Sequence, residues 1–209
     1  MGIEQADTVI AGVFPGLHGW CSIDKGCRMV RLVAETPRDR PALCVELGVF
    51  GARGVIAMGL AVRYCLAGNG RVDGIDPYTA TASLEGTHDP TDRDWWARVD
   101  YGAILESARQ AIERTGVQNV VHLILKRSDD VVHTYAPESI DVLHQDSNHS
   151  AEVSTREVHA WVPKMRPGGY WVFDDINWPT TKQAQETLLN YGFALLENHE
   201  SWAVFQAPR

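Results

Sequence analysis

Two short stretches of the chain concentrate side chains able to do chemistry. Asp146-Ser147-Asn148-His149 follows one short apolar run, and Asp174-Asp175 follows another. Three carboxylates at the ends of adjacent strands repel one another at close range, and a bound cation is the economical way to keep them ionised. Their hard oxygen donors suit Mg²⁺, or Mn²⁺ as a substitute, better than zinc. His149 lies three residues beyond Asp146, close enough to face the same cleft, where an imidazole is a natural general base near neutral pH. The plainer alternative makes Asp146 and Asn148 helix caps and Asp174-Asp175 a polar loop.

Three further segments carry ligand-binding potential. In Glu46-Leu47-Gly48-Val49-Phe50-Gly51-Ala52-Arg53-Gly54 the glycines let backbone approach a ligand, and free N–H groups of the helix that follows can hold an anionic group; a tight turn without a ligand is the alternative. Asp76, in VDGIDPY, can accept two hydrogen bonds from a ribose diol, although Asp before Pro also initiates turns. Ser128 can cap a helix while lying where an adenine edge would be read. The chain has neither the G-x-G-x-x-G fingerprint nor the G-x-x-x-x-G-K-[ST] phosphate loop, which counts against nicotinamide and nucleoside triphosphate ligands.

These residues need a frame. From Pro41 onward, short apolar runs alternate with helical periodicity, the pattern of a parallel sheet covered on both faces. Strands are expected at 43–47, 71–75, 120–125, 140–145 and 169–173. Helices are expected at about 52–67, 94–115, 150–165 and 180–190, with a polar loop between Asp76 and Asp94. Runs 193–197 and 202–206 are separated by only four residues, too few for a parallel crossover, so they must form a hairpin. The expectation is an α/β, Rossmann-like, doubly wound sheet of seven strands, mostly parallel, with a C-terminal antiparallel hairpin. Ligands then sit at the carboxyl ends of the strands, where strand order reverses. Residues 1–40 form an N-terminal extension with a helix over 22–34, serving as a cap or as a substrate or oligomer contact, and residues 41–209 form the domain proper.

Composition narrows the partners. With 19 Lys and Arg against 27 Asp and Glu, the net charge of −8 gives no general attraction for nucleic acid or anionic lipid. The four cysteines Cys21, Cys27, Cys44 and Cys65 lack a C-x-x-C pair and read as reduced thiols. With no basic-then-apolar leader in the first 20 residues and no long apolar stretch, the expected location is cytoplasmic.

The motifs VELGVFGARG, VDGIDPY, LKRSDDV, DVLHQDSNHSAEV and RPGGYWVFDD, in that order and spacing, resemble the class I S-adenosylmethionine-dependent methyltransferases. Within that class they are most similar to metal-dependent O-methyltransferases that modify sugar hydroxyls of macrolides and related natural products. The resemblance spans about residues 41–206, and HGW with the Asp24-Lys25 helix resembles the group's N-terminal segment. It implies that Glu46, Gly48 and Gly51 line the methionine end of S-adenosylmethionine, that Asp76 holds the ribose, and that Ser128 and Asp129 border the adenine. It implies Asp146, Asp174 and Asp175 as ligands of Mg²⁺ or Mn²⁺, with His149 and Asp146 catalytic. The expected partner is a small-molecule hydroxyl acceptor, and the chain is expected to self-associate.

The acceptor is expected under the segment bearing Tyr78, His88, Trp95 and Trp96, beside His18 and Trp20. The sequence departs from the group at Gln145-Asp146-Ser147-Asn148-His149, where Asn148 stands in place of a second acid. Two alternatives remain: a cofactor-binding subunit without catalysis, and a metal-dependent hydroxylase for which His144 would join His149 as an iron ligand.

Overall fold

A computed structural model describes residues 2–87 and 89–209, and His88 therefore lies outside the described residues. Seven strands form one sheet: β1 (Ala42–Leu47), β2 (Gly70–Ile75), β3 (Val121–Ile124), β4 (Ile140–Gln145), β5 (Met165–Asp174), β6 (Ala194–Asn198) and β7 (Trp202–Gln206). Their order is β3-β2-β1-β4-β5-β7-β6, and β7 alone runs opposite in direction to the other six. Chain order reverses between β1 and β4, so the crevice expected of such sheets opens at the carboxyl ends of these two strands.

Alternation along the strands feeds two cores. On one face Cys44, Val142, Val172 and Val204 pack under α1 (Gly2–Val13), α2 (Ile23–Ala34) and α3 (Arg53–Cys65). On the other, Val45, Leu143, Trp171 and Phe205 meet the helices that follow β4 and β5. The central strands β1 and β4 are buried on both faces, which is why they read as apolar runs rather than as clean alternation.

The remaining helices among the described residues are α4 (Ala80–Ser83), α5 (Pro90–Arg98), α6 (Tyr101–Arg114), α7 (Ser128–Val131), α8 (Ala151–Trp161) and α9 (Lys182–Asn190). Several boundaries differ from expectation for local reasons. The polar stretch after Asp76 holds two short helices. The expected helix from Asp94 breaks at Val99, because the Asp100 side chain accepts from Ala103 N–H at 3.0 Å and caps α6 anew. Pro163 ends α8 in a 3₁₀ turn over Val162–Lys164. Pro167-Gly168-Gly169, expected to precede β5, lies within it where the pairing with β4 shifts register, and Gly168 takes a φ of +75°. The N-terminal 40 residues are built into the domain core: Ile10, Phe14, Met29 and Leu32 are completely or almost completely buried there. The four cysteines are free thiols, and among the described residues no helix is long and apolar enough to cross a membrane.

Candidate active site

Strand register explains how the charged residues meet. Glu46 of β1 lies opposite His144 of β4, and His144 lies opposite Val172 of β5. Period-2 alternation then puts Glu46, His144 and Asp174 on one face of the sheet, the face covered by α2 and α3. His144 Nδ1 lies 2.7 Å from Glu46 Oε1, and its Nε2 lies 3.8 Å from Asp174 Oδ2. Gly54, in the first turn of α3, is what lets the helix cross here: a Cβ on it would lie 1.8 Å from Glu46 Oε1. From α2, capped by Ser22, the buried Lys25 ammonium forms an ion pair with Asp174 Oδ2.

The electrostatics follow from burial opposed by partners. Burial disfavours a charged imidazole, but Asp174 and Glu46 outweigh it and raise the His144 pKa to about 9. Burial would likewise raise Asp174, yet His144 and Lys25 hold its carboxyl well below the usual range. Burial and the neighbouring Asp174 push Asp146 up to about 6. Glu46 is raised by burial, and its Oε2 is buried without a hydrogen-bond partner. His149 is raised by Asp146 and Asp175 against the effect of burial. Its Nε2 lies 3.1 Å from Asp175 Oδ2 and 3.7 Å from Asp146 Oδ1, without the alignment of a hydrogen bond to either, and its ring packs on Trp178 with centroids 5.0 Å apart.

Two chambers meet at these groups. The narrower, about 100 Å³, is lined by Asp76, Pro77, Ser128 and Glu157. The wider, about 390 Å³, is lined by Glu46, Gly51, Asp174, Asp175, Trp20 and Trp95. Gly48, Phe50, Asp146 and His149 line both. Gly48 adopts a φ of +82°, and a Cβ on it would lie 2.1 Å from the Asp146 carbonyl oxygen, so only glycine permits this approach of β1 to β4.

The expected cofactor residues are not all disposed alike. Glu46, Gly48, Gly51, Asp76 and Ser128 all line the cleft. Asp76 already accepts from Val49 N and Phe50 N, both at 3.0 Å, and from Tyr78 N at 2.7 Å, so it clamps the glycine loop as well as facing the narrow chamber. Asp129, expected to border the adenine, turns its carboxylate to Arg156 Nε at 2.9 Å and lines neither chamber. The acid beside Ser128 is Glu157 of α8, which accepts from Ser128 Oγ at 2.6 Å, from Gln145 Nε2 at 3.2 Å and from Ser147 Oγ.

In the acceptor region, His18, Trp20, Trp95 and Trp96 line the wider chamber. Tyr78 does not; it is buried and donates its hydroxyl to the Phe50 carbonyl at 2.9 Å. Trp95 and Trp96 cross edge to face with ring centroids 4.7 Å apart, and Trp20 stacks on Phe50 at 5.4 Å.

The sequence reading did not single out Lys25, Glu157 or Trp178 as site residues. For Lys25 a signal existed, a charged residue four before Met29 on the apolar stripe of α2. Glu157 had a similar one, lying between Val153 and Trp161 on the buried face of α8.

The expected divalent-ion trio is divided between two convergent groups. One ligand atom each from His144, Asp146 and Asp174, and one each from Asp146, His149 and Asp175, converge to within 4.8 Å. Yet Asp174 Oδ2 is taken by the Lys25 ammonium, and its Oδ1 accepts from Asp175 N–H at 3.0 Å. His144 Nδ1 is held against Glu46 Oε1, and His144 and His149 fall in different convergent groups, so the paired-histidine iron site of a hydroxylase is not formed among the described residues.

The fold has close counterparts. It superimposes on the O-methyltransferase NovP with a TM-score of 0.78 at 16% identity, covering 99% of this chain and 98% of that one. An O-methyltransferase from Bacillus cereus in complex with SAH gives 0.62 at 15% identity, covering 100% of this chain and 90% of that one. The O-methyltransferase TomG from Streptomyces achromogenes, involved in tomaymycin synthesis and solved in complex with SAM, gives 0.58 at 14% identity with the same coverage. No curated protein matches the chain by sequence. The methyltransferase domain family matches residues 45–176, which begin within β1 and include β4, β5 and every cleft acid described above, and the chain belongs to that family.

Proposed function

We propose that the protein transfers a methyl group from S-adenosylmethionine to a hydroxyl of a small molecule, a natural-product sugar or related metabolite. The observation that carries the reading is the meeting of the two chambers at Gly48, Asp146 and His149, with the unpartnered Glu46 Oε2 on the wall of the wider one. A buried acceptor without a donor is costly, and the ammonium of a methionine moiety would satisfy it. The donor fits this cleft with its methionine end against Glu46, Gly48 and Gly51 and its adenosyl end toward Asp76, Ser128 and Glu157.

S-adenosylmethionine, when bound, supplies an electrophilic methyl on a sulfonium whose thioether departs readily. The chain therefore has mainly to align an acceptor oxygen with that methyl and to take its proton. The wider chamber, with Trp20 and Trp95 on its wall, would seat the acceptor's body by stacking. His149 Nε2 faces the cleft with Asp146 and Asp175 around it, and as general base it would receive the hydroxyl proton, a contribution of about 10² to 10⁴ in rate. Asp175 and Asp146 then stabilise the imidazolium that forms. His149 must be neutral to act, and its pKa is raised, so activity should climb with pH above the ordinary imidazole range.

The test is transfer of radiolabel from methyl-labelled S-adenosylmethionine to a panel of sugar, polyketide and catechol hydroxyls. The expected result is labelled product that falls at least about a hundredfold in His149→Ala. Product at the wild-type rate in that variant would remove the base assignment. No product with any acceptor from a protein that binds the donor would favour a cofactor-binding subunit.

A further inference from the structure

We propose that Lys25 is a built-in cation that takes the place of a divalent ion in the acid cluster, so that the cleft works without a metal. The inference rests on the methyl-transfer reading only for what the cluster serves; the charge arrangement stands by itself.

Asp174 is one acid of the cluster, and each of its oxygens is already engaged: Oδ2 carries the Lys25 ammonium, and Oδ1 accepts from the Asp175 N–H. His144 faces the same Oδ2 from the sheet side at 3.8 Å, fixed there by its 2.7 Å contact with Glu46. Lys25 and Asp174 are 3% and 7% exposed at their side chains, so the pair is shielded from water and weakly screened. A divalent ion on Asp174 would have to expel a buried ammonium, which has no water to retreat into, or sit beside it.

Position distinguishes Lys25 from a group that touches substrate. It lines neither chamber and reaches the cleft through Asp174. It is a positioning residue, holding Asp174 and, by its field, Asp146 while Asp146, His149 and Asp175 face the chamber. Its delivery by α2 gives the N-terminal 40 residues a role at the site beyond packing.

The experiment is a Mn²⁺ titration of EDTA-treated full-length protein, read by electron paramagnetic resonance and by thermal unfolding. The wild type and Lys25→Arg should bind no stoichiometric Mn²⁺ below about 1 mM, and their unfolding midpoints should not respond to the ion. Lys25→Met should bind Mn²⁺ at least about tenfold more tightly than the wild type and gain stability from it, because the vacated cluster then needs a cation. If Lys25→Met does not fold, the wild type against Asp174→Asn decides: Mn²⁺ binding at micromolar levels to the wild type, lost in Asp174→Asn, overturns the proposal. A folded Lys25→Met that binds Mn²⁺ no better than the wild type also overturns it. A parallel titration with S-adenosylhomocysteine separates the two readings, since failure there strikes the methyl-transfer proposal and leaves the Mn²⁺ result standing.

Discussion

The two halves of the cleft are held by different physics. On the β1–β2 side the backbone does the holding: Gly48 takes a left-handed φ, and three N–H groups converge on Asp76. All its parts lie within about thirty residues of one another. On the β4–β5 side charge does the holding. Lys25 and Asp174 are 149 residues apart, Glu46 and His144 98 apart, and each buried carboxylate is tolerable only because a cation sits against it. A half built from backbone geometry should respond sharply to added atoms and little to pH; a half built from buried charge should do the reverse.

The largest expected effect is on the charge-built half. Lys25→Met leaves Asp174 buried beside one cation instead of two and should cost about 3–5 kcal/mol of unfolding free energy by urea denaturation. Adding Asp174→Asn should recover a large part of it, and a double-mutant cycle near zero would show that the two groups are not coupled.

Next in size is an added atom in the backbone-built half. Gly48→Ala places a Cβ 2.1 Å from the Asp146 carbonyl on an unfavourable φ and should weaken S-adenosylhomocysteine binding about a hundredfold by calorimetry. Because Gly48 is the seam between the halves, an unchanged affinity would mean that they do not share a ligand.

The pH response comes third. His144 has a folded pKa of about 9 against an ordinary 6.5, so its stabilising contribution is fully present below pH 6.5 and is lost as pH rises through 9. Unfolding free energy should fall by about 2 kcal/mol between pH 7 and 9, and His144→Gln should flatten that slope. Asp146, raised to about 6 from 3.8, acts in the same direction at lower pH, its share being lost between those two values.

The smallest effect is a deliberate blank. Asp129→Ala should leave S-adenosylhomocysteine affinity within about twofold, since its carboxylate faces Arg156 and not the chamber. A tenfold loss would return Asp129 to the adenine edge.

The same division governs how much could be read from the chain alone. β4 and β7 fall where their apolar runs put them, and the hairpin follows from a four-residue gap. Gly48, Gly51, Asp76, Asp146 and His149 follow from the rule that ligands gather at strand ends, and each lines the cleft. α1 was not foreseen. What escaped depends on contacts that no local pattern encodes. Lys25 reaches Asp174 only because α2 lies across β4 and β5. Glu157 enters the narrow chamber because α8 packs against α7, where Ser128 meets it. Asp129 lies outside both chambers because Arg156, the neighbour of Glu157 on α8, attracts its carboxylate. Helix α6 begins at Asp100 and not earlier because a side-chain cap outweighs continued periodicity.

The central claim is that one cleft seats an adenosyl donor against Glu46 while the acid cluster beside it is balanced by the protein's own cations. Calorimetric titration of EDTA-treated protein with S-adenosylhomocysteine tests it most directly. The account predicts one site per chain with a dissociation constant of about 1–100 μM, unchanged by added Mg²⁺ and weakened at least about tenfold in Glu46→Gln. Absence of binding at about 1 mM, or binding that requires Mg²⁺, would contradict it.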